Sequence, residues 1–128
     1  MIYKHKVLKM DQKDRDKIEK IIQDREEANK KFTSSGSKVY KNFLNLEREA
    51  FSEGELKKVQ KELIALGISV VINCESCIEW HTKEALNAGA SEKQILETID
   101  VGIEMGGGPA TVSSRFALKV LEYHGKKK

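Results

Sequence analysis

Leu56, Val59, Leu63, Leu66 and Val70 recur at steps of three and four residues, a spacing that constrains the fold more than any other feature of the chain. An α-helix turns by about 100° per residue, so these side chains share one face and need an apolar surface to cover it. The same period returns elsewhere. Asp11 to Lys31 is a charged segment with a thin stripe of Ile18, Ile21, Ile22, Arg25 and Ala28. Val39, Tyr40, Phe43 and Leu44 suit a short helix after the break at Thr33-Ser-Ser-Gly-Ser37, and Val112, Phe116, Val120 and Leu121 suit a last one. With one proline in 128 residues and few alternating apolar stretches, the expected fold is all-α, a single-domain helical bundle.

The punctuation between helices is readable too. Ser52-Glu-Gly-Glu55 matches a capping box flanked by Phe51 and Leu56, and predicts a helix running to about Ile72. The apolar end of that helix, Ile68-Ser-Val-Val-Ile72, is expected to be deeply buried. Asn73 is expected to cap the next helix, with Cys74 in its first turn and Gly89 at its end. Ser91 and Gln94 form a second capping box, for a helix over about 92 to 105. Gly106-Gly-Gly108 then breaks the chain, and Pro109 is placed to begin the final helix. The division expected is a charged N-terminal helix and linker over 1–36, packing within an oligomer, and the main helical domain over 37–128.

Charge narrows the function. The net charge of +3 is the balance of 23 basic and 20 acidic residues spread along the chain, not a basic block. Such a pattern gives little support to nucleic-acid binding. No apolar run approaches the roughly 20 residues that span a bilayer, and Met-Ile-Tyr-Lys-His-Lys lacks the apolar core of a signal peptide. The expected location is cytoplasmic, where a C-x-x-C pair points to catalysis or metal binding more than to a structural staple.

The chemistry concentrates in Asn73-Cys-Glu-Ser-Cys-Ile-Glu-Trp-His81. On one helix Cys74 and His81 nearly eclipse, with Cys77 within about 60° of both. The chain has no other cysteine, so the only disulfide a monomer can form joins Cys74 to Cys77. A thiolate is the effective nucleophile, and a helix N-terminus favours it. His81, one turn after Cys77, can accept its proton directly or through a water. Glu62 in the preceding helix can orient His81 if the two helices form an antiparallel hairpin.

Glu62, eleven intervening residues, Cys74-x-x-Cys77, three more residues and His81 together resemble the alkylhydroperoxidase D-like branch of the carboxymuconolactone decarboxylase superfamily. The likeness extends through Gly89-Ala90-Ser91-Glu92 and Gly107-Gly108-x-Ala110, from about residue 40 onward. The resemblance implies an all-helical homo-oligomer, a trimer or hexamer, with no metal and no bound organic cofactor. It implies thiol-dependent reduction of a hydroperoxide or exchange with a disulfide substrate. Carried over by position, Cys77 is the peroxide-oxidised cysteine, Cys74 resolves it, and Glu62 with His81 is the proton relay. An external dithiol then reduces the pair, a lipoyl protein or a peroxiredoxin circuit being the implied partner. The chain departs from the family's peroxidases at Ser76, where they carry a histidine between the cysteines. Glu75 adds a carboxylate that favours the neutral thiol.

Other readings of the same residues stand beside this one. Two cysteines a turn apart can be small buried hydrophobes, in a non-catalytic helical oligomer with an inert dithiol. Two thiolates, an imidazole and a carboxylate can also complete a tetrahedral zinc shell, although three of these ligands share one helix and no paired knuckle exists. A carboxymuconolactone decarboxylase-like enzyme is a third alternative, disfavoured by the retained thiols. His5 and His124 read as exposed terminal histidines, Trp80 as packing rather than a substrate platform, and Glu62 alone as a surface carboxylate.

Overall fold

The computed structural model describes residues 9–125. Among these residues the chain is all-α: α1 (Gln12–Ser34), α2 (Lys38–Phe51), α3 (Lys58–Val71), α4 (Glu75–Asn87), α5 (Glu92–Gly106) and α6 (Gly108–Gly125). None of these helices is long and apolar enough to cross a membrane.

The core lies between α3, α4, α5 and α6. Leu66 and Val70 from α3, Ile78 and Ala85 from α4, Ile95 from α5 and Val120 from α6 are all fully buried. Burying an aliphatic side chain of this size stabilises the fold by about 1.5–3 kcal/mol. α3 and α5 approach closely because Gly102 has no side chain. A Cβ there would lie 3.2 Å from the Gly67 carbonyl and 3.1 Å from Val70 Cγ1. The charged helix α1 joins this core through Ile18, which is fully buried, and packs on α4 and α6 of its own chain. α2 buries no residue completely.

The helix junctions follow the predicted punctuation in part. Ser91 and Gln94 form the expected capping box. Gly89, at φ 104°, ends α4 in the left-handed region that glycine adopts without a Cβ clash. Two predictions are corrected. Ser52 closes α2 instead of opening α3: its hydroxyl donates to the Glu49 carbonyl at 2.8 Å, and α3 starts six residues later. There Gln60 Oε1 accepts from the Lys57 amide at 2.8 Å, so half of the capping arrangement exists at a different place.

The stretch 68–72 is not deeply buried either. Ser69 and Val70 are enclosed, but Ile68 and Ile72 are 55% and 63% exposed. Five consecutive residues sweep around a whole helix, and only one side of α3 faces α4 and α6. Ile68 and Val71, with Ile64, Val101 and Met105, line an open apolar groove of about 510 Å³ between α3 and α5.

Candidate active site

The site is built on the α3–α4 hairpin. α3 ends in a Schellman motif: the Cys74 amide donates to the Ser69 carbonyl at 3.0 Å and the Asn73 amide to that of Val70 at 3.3 Å. Asn73 takes the left-handed conformation at φ 54°, which asparagine tolerates better than most residues. Its side chain accepts from Ser113 Oγ at 3.0 Å, tying the turn to α6. Asn73 therefore ends α3, and the helix cap falls one residue later than predicted. Cys74 is the N-cap of α4, outside the first turn, and its sulfur accepts from the Cys77 amide at 3.2 Å.

This register brings all four sequence-predicted residues together. Cys74 and Cys77 are joined as a disulfide. His81 Nδ1 lies 2.8 Å from Glu62 Oε2 across the hairpin. Lys58 and Glu84 meet further from the turn, at 3.4 Å, as two antiparallel helices require. Glu62 is only 2% exposed, so it is no ordinary surface carboxylate. An ionised carboxylate only accepts hydrogen bonds, so Nδ1 carries the hydrogen and Nε2 is left to exchange a proton. The Phe51 ring stacks on the imidazole with centroids 5.4 Å apart.

Cys77 and His81 open together onto a cavity of about 400 Å³, whose walls include Arg25, Tyr40, Phe43 and Trp80. Trp80 was predicted as packing. It is half-buried, with Lys83 Nζ 4.3 Å and Arg25 Cζ 5.2 Å from its ring centroid, and also forms a wall of the cavity. Helices α1 and α2 supply the far side of this space, so the site is completed by segments outside the hairpin.

Behind α4 lies a second ionic cluster that sequence reading missed. Glu79, fully buried, takes Arg25 Nη1 on Oε1 and His124 Nε2 on Oε2, both at 2.6 Å. Burial pushes this carboxyl up, but the His124 and Arg25 hydrogen bonds outweigh it and hold the group below the usual carboxylate range. His124 is thus not an exposed terminal histidine: its side chain is 8% exposed. His5 lies outside the described residues. The other arm of Arg25, Nη2, donates to the Ser76 carbonyl at 2.8 Å and to Ser76 Oγ at 3.1 Å. Lys17 of the same helix pairs with Glu75 at 2.6 Å.

A signal for this cluster existed. Arg25 sits in the apolar stripe of α1, and a cation placed on a buried face calls for a buried anion. Glu79 stands three and seven residues before Thr82 and Leu86, both buried, yet nothing in the sequence pairs it with Arg25 across 54 positions.

The fold is thus an all-helical one whose α3–α4 hairpin carries a disulfide, an imidazole and a carboxylate beside a small cavity. The chain belongs to the carboxymuconolactone decarboxylase family, whose pattern matches residues 37–120. It is similar to a carboxymuconolactone decarboxylase family protein from Legionella pneumophila, solved in its apo form. The TM-score is 0.81 and the identity 31%, covering 85% of this chain and 97% of that one. It is also similar to a family protein from Thermotoga maritima for which a part in an antioxidative response has been suggested. There the TM-score is 0.77 and the identity 33%, over 84% and 91% of the two chains. In sequence it is 40% identical to uncharacterized protein 4 of the cox locus of Paracoccus denitrificans, over 69% of this chain and 79% of that protein.

Proposed function

We propose that the protein is a thiol-dependent oxidoreductase of the alkylhydroperoxidase D-like type, reducing a hydroperoxide or a disulfide substrate through Cys77 and Cys74. One observation carries the reading: the Cys74–Cys77 pair joins the N-cap and first turn of the helix that carries His81, which is paired with buried Glu62 and shares a cavity with Cys77. The suggested antioxidative role of the Thermotoga maritima protein supports it.

In the reduced protein the Cys77 thiolate attacks the terminal oxygen of the hydroperoxide. The S–O bond forms as the O–O bond breaks, and the departing alkoxide takes a proton from His81 to leave as an alcohol. Cys74 then gives up its proton and attacks the sulfenic sulfur of Cys77. The oxygen departs as water and the disulfide is made. Glu62 holds the imidazole while it gives and regains its proton. An external dithiol, from a lipoyl protein or a peroxiredoxin circuit, restores both thiols by two exchange steps and leaves oxidised. The reading places the protein in the cytoplasm as a homo-oligomer, which the open apolar groove between α3 and α5 supports.

The test is mass spectrometry of the reduced protein during brief hydroperoxide treatment, followed by dihydrolipoamide. Two thiols should disappear and return. Cys77→Ser should abolish peroxide consumption, and Cys74→Ser should leave a trappable sulfenic acid on Cys77. Full reactivity in both single variants would overturn the assignment.

A further inference from the structure

We propose that Arg25, reaching from α1, is a positioning residue of the dithiol: it holds the Ser76 peptide between the two cysteines and sets a fixed positive charge beside Cys77 that favours its thiolate. The inference rests on the redox reading of the site and adds to it a residue from outside the matched family region, 37–120.

The geometry is that of a built support. The guanidinium fork splits, one arm to Glu79 at 2.6 Å and the other to the Ser76 carbonyl and hydroxyl at 2.8 and 3.1 Å. Its Cζ lies over the Trp80 ring, 5.2 Å from the centroid. The side chain is 17% exposed and Glu79 not at all, so water screens the Glu79 arm little, while the other arm reaches the exposed Ser76. Arg25 and Cys77 also line the same cavity. Ser76 cannot take up a proton, but it accepts from a group that is permanently charged.

Other charges around Cys77 bear on the balance. On α4 these are Glu75, Glu79 and His81; α3 contributes Glu62, α6 contributes His124, and α1 contributes Lys17. Each of their carboxylates is met by a cation or imidazole: Glu75 by Lys17, Glu62 by His81, Glu79 by Arg25 and His124. Glu47 of α2 lines the cavity and opposes the effect. The Arg25 arm on Ser76 is the cationic group bonded to the segment between the cysteines.

The experiment is the pH profile of Cys77 alkylation in the reduced full chain, read by peptide mapping, for wild type, Arg25→Gln, Arg25→Lys and Glu79→Gln. Arg25→Gln should move the profile about one unit toward higher pH, the low end for losing a neighbouring opposite charge. At pH 7 the thiolate fraction then falls about tenfold. The less acidic thiol is a better nucleophile, so the rate falls only about threefold. Arg25→Lys should fall between these proteins. Glu79→Gln, which leaves the Arg25 charge uncompensated, should move the profile the other way. A merely structural role cannot give opposite signs for the two partners of one ion pair. If Arg25→Gln does not fold, Glu79→Gln decides: a profile at or above the wild-type pH overturns the proposal. Coincident profiles with peroxide consumption intact would sink this inference alone. Shifted profiles without any peroxide consumption would sink the peroxidase reading and leave the electrostatic role of Arg25 standing.

Discussion

Helix α4 carries a carboxylate–imidazole pair on each side, and the two differ in their surroundings. Glu62 and His81 meet at 2.8 Å, Glu79 and His124 at 2.6 Å. The first imidazole opens on the cavity that holds Cys77. The second belongs to a cluster around fully buried Glu79, both of whose oxygens are occupied, one by His124 and the other by Arg25. Identical side-chain chemistry thus leaves one imidazole on the wall of a cavity, and in the other pair has both carboxylate oxygens bonded.

The largest effect separating the two pairs is on turnover. Glu62→Gln should lower peroxide consumption about 100-fold, the low end for losing a positioned general acid–base, because His81 loses the group that fixes its tautomer. Glu79→Gln should change it no more than about threefold, acting only through the thiol's ionisation. Steady-state rates at fixed hydroperoxide concentration check both. Equal losses in the two variants would erase the functional difference between the pairs.

The second effect is on stability. His124→Ala should cost about 2 kcal/mol in urea unfolding, since it strips a charge-assisted hydrogen bond from a carboxylate with no access to water. The pH dependence follows from the direction of the Glu79 shift. Its carboxyl ionises at a lower pH in the folded chain than in the unfolded one, where the ordinary value is near 4.5. The contribution is therefore complete above that value and is lost as pH falls through the depressed folded value. Unfolding free energies measured from pH 7 down to 3 should show a steeper acid loss in wild type than in Glu79→Gln. Parallel curves would show that the Glu79–His124 pair holds nothing.

Much of the fold was legible where local chemistry decides it. Gly89, the Ser91–Gln94 box and the glycine break before α6 are signals within a few residues, and the α3 period fixed the helix that carries Glu62. The hairpin could be anticipated because so few residues separate α3 from α4. Ser52 misled because the same residue suits either end of a helix, and α2 claimed it first. The run from Ile68 to Ile72 misled because apolar composition does not say which side of a helix meets a neighbour. Glu62, Cys74, Cys77 and His81 were legible through their joint spacing. Arg25, Glu79 and His124 were not, since their meeting depends on α1 and α6 closing over α4, a relation that no local window contains.

The smallest effect tests what holds α1 in place. Lys17 and Glu75 pair at 2.6 Å, but their side chains are 52% and 40% exposed, so water and salt screen the attraction. Eight residues further along, Arg25 makes its ion pair out of water, and between them Ile18 is fully buried. If α1 is anchored by the Ile18 side chain and by Arg25 on buried Glu79, Lys17→Gln should change the unfolding free energy by less than about 0.5 kcal/mol. A cost above about 1 kcal/mol that disappears at high salt would mean that surface charge docks α1. The distinction between buried and open ion pairs on α4 would then lose its physical basis.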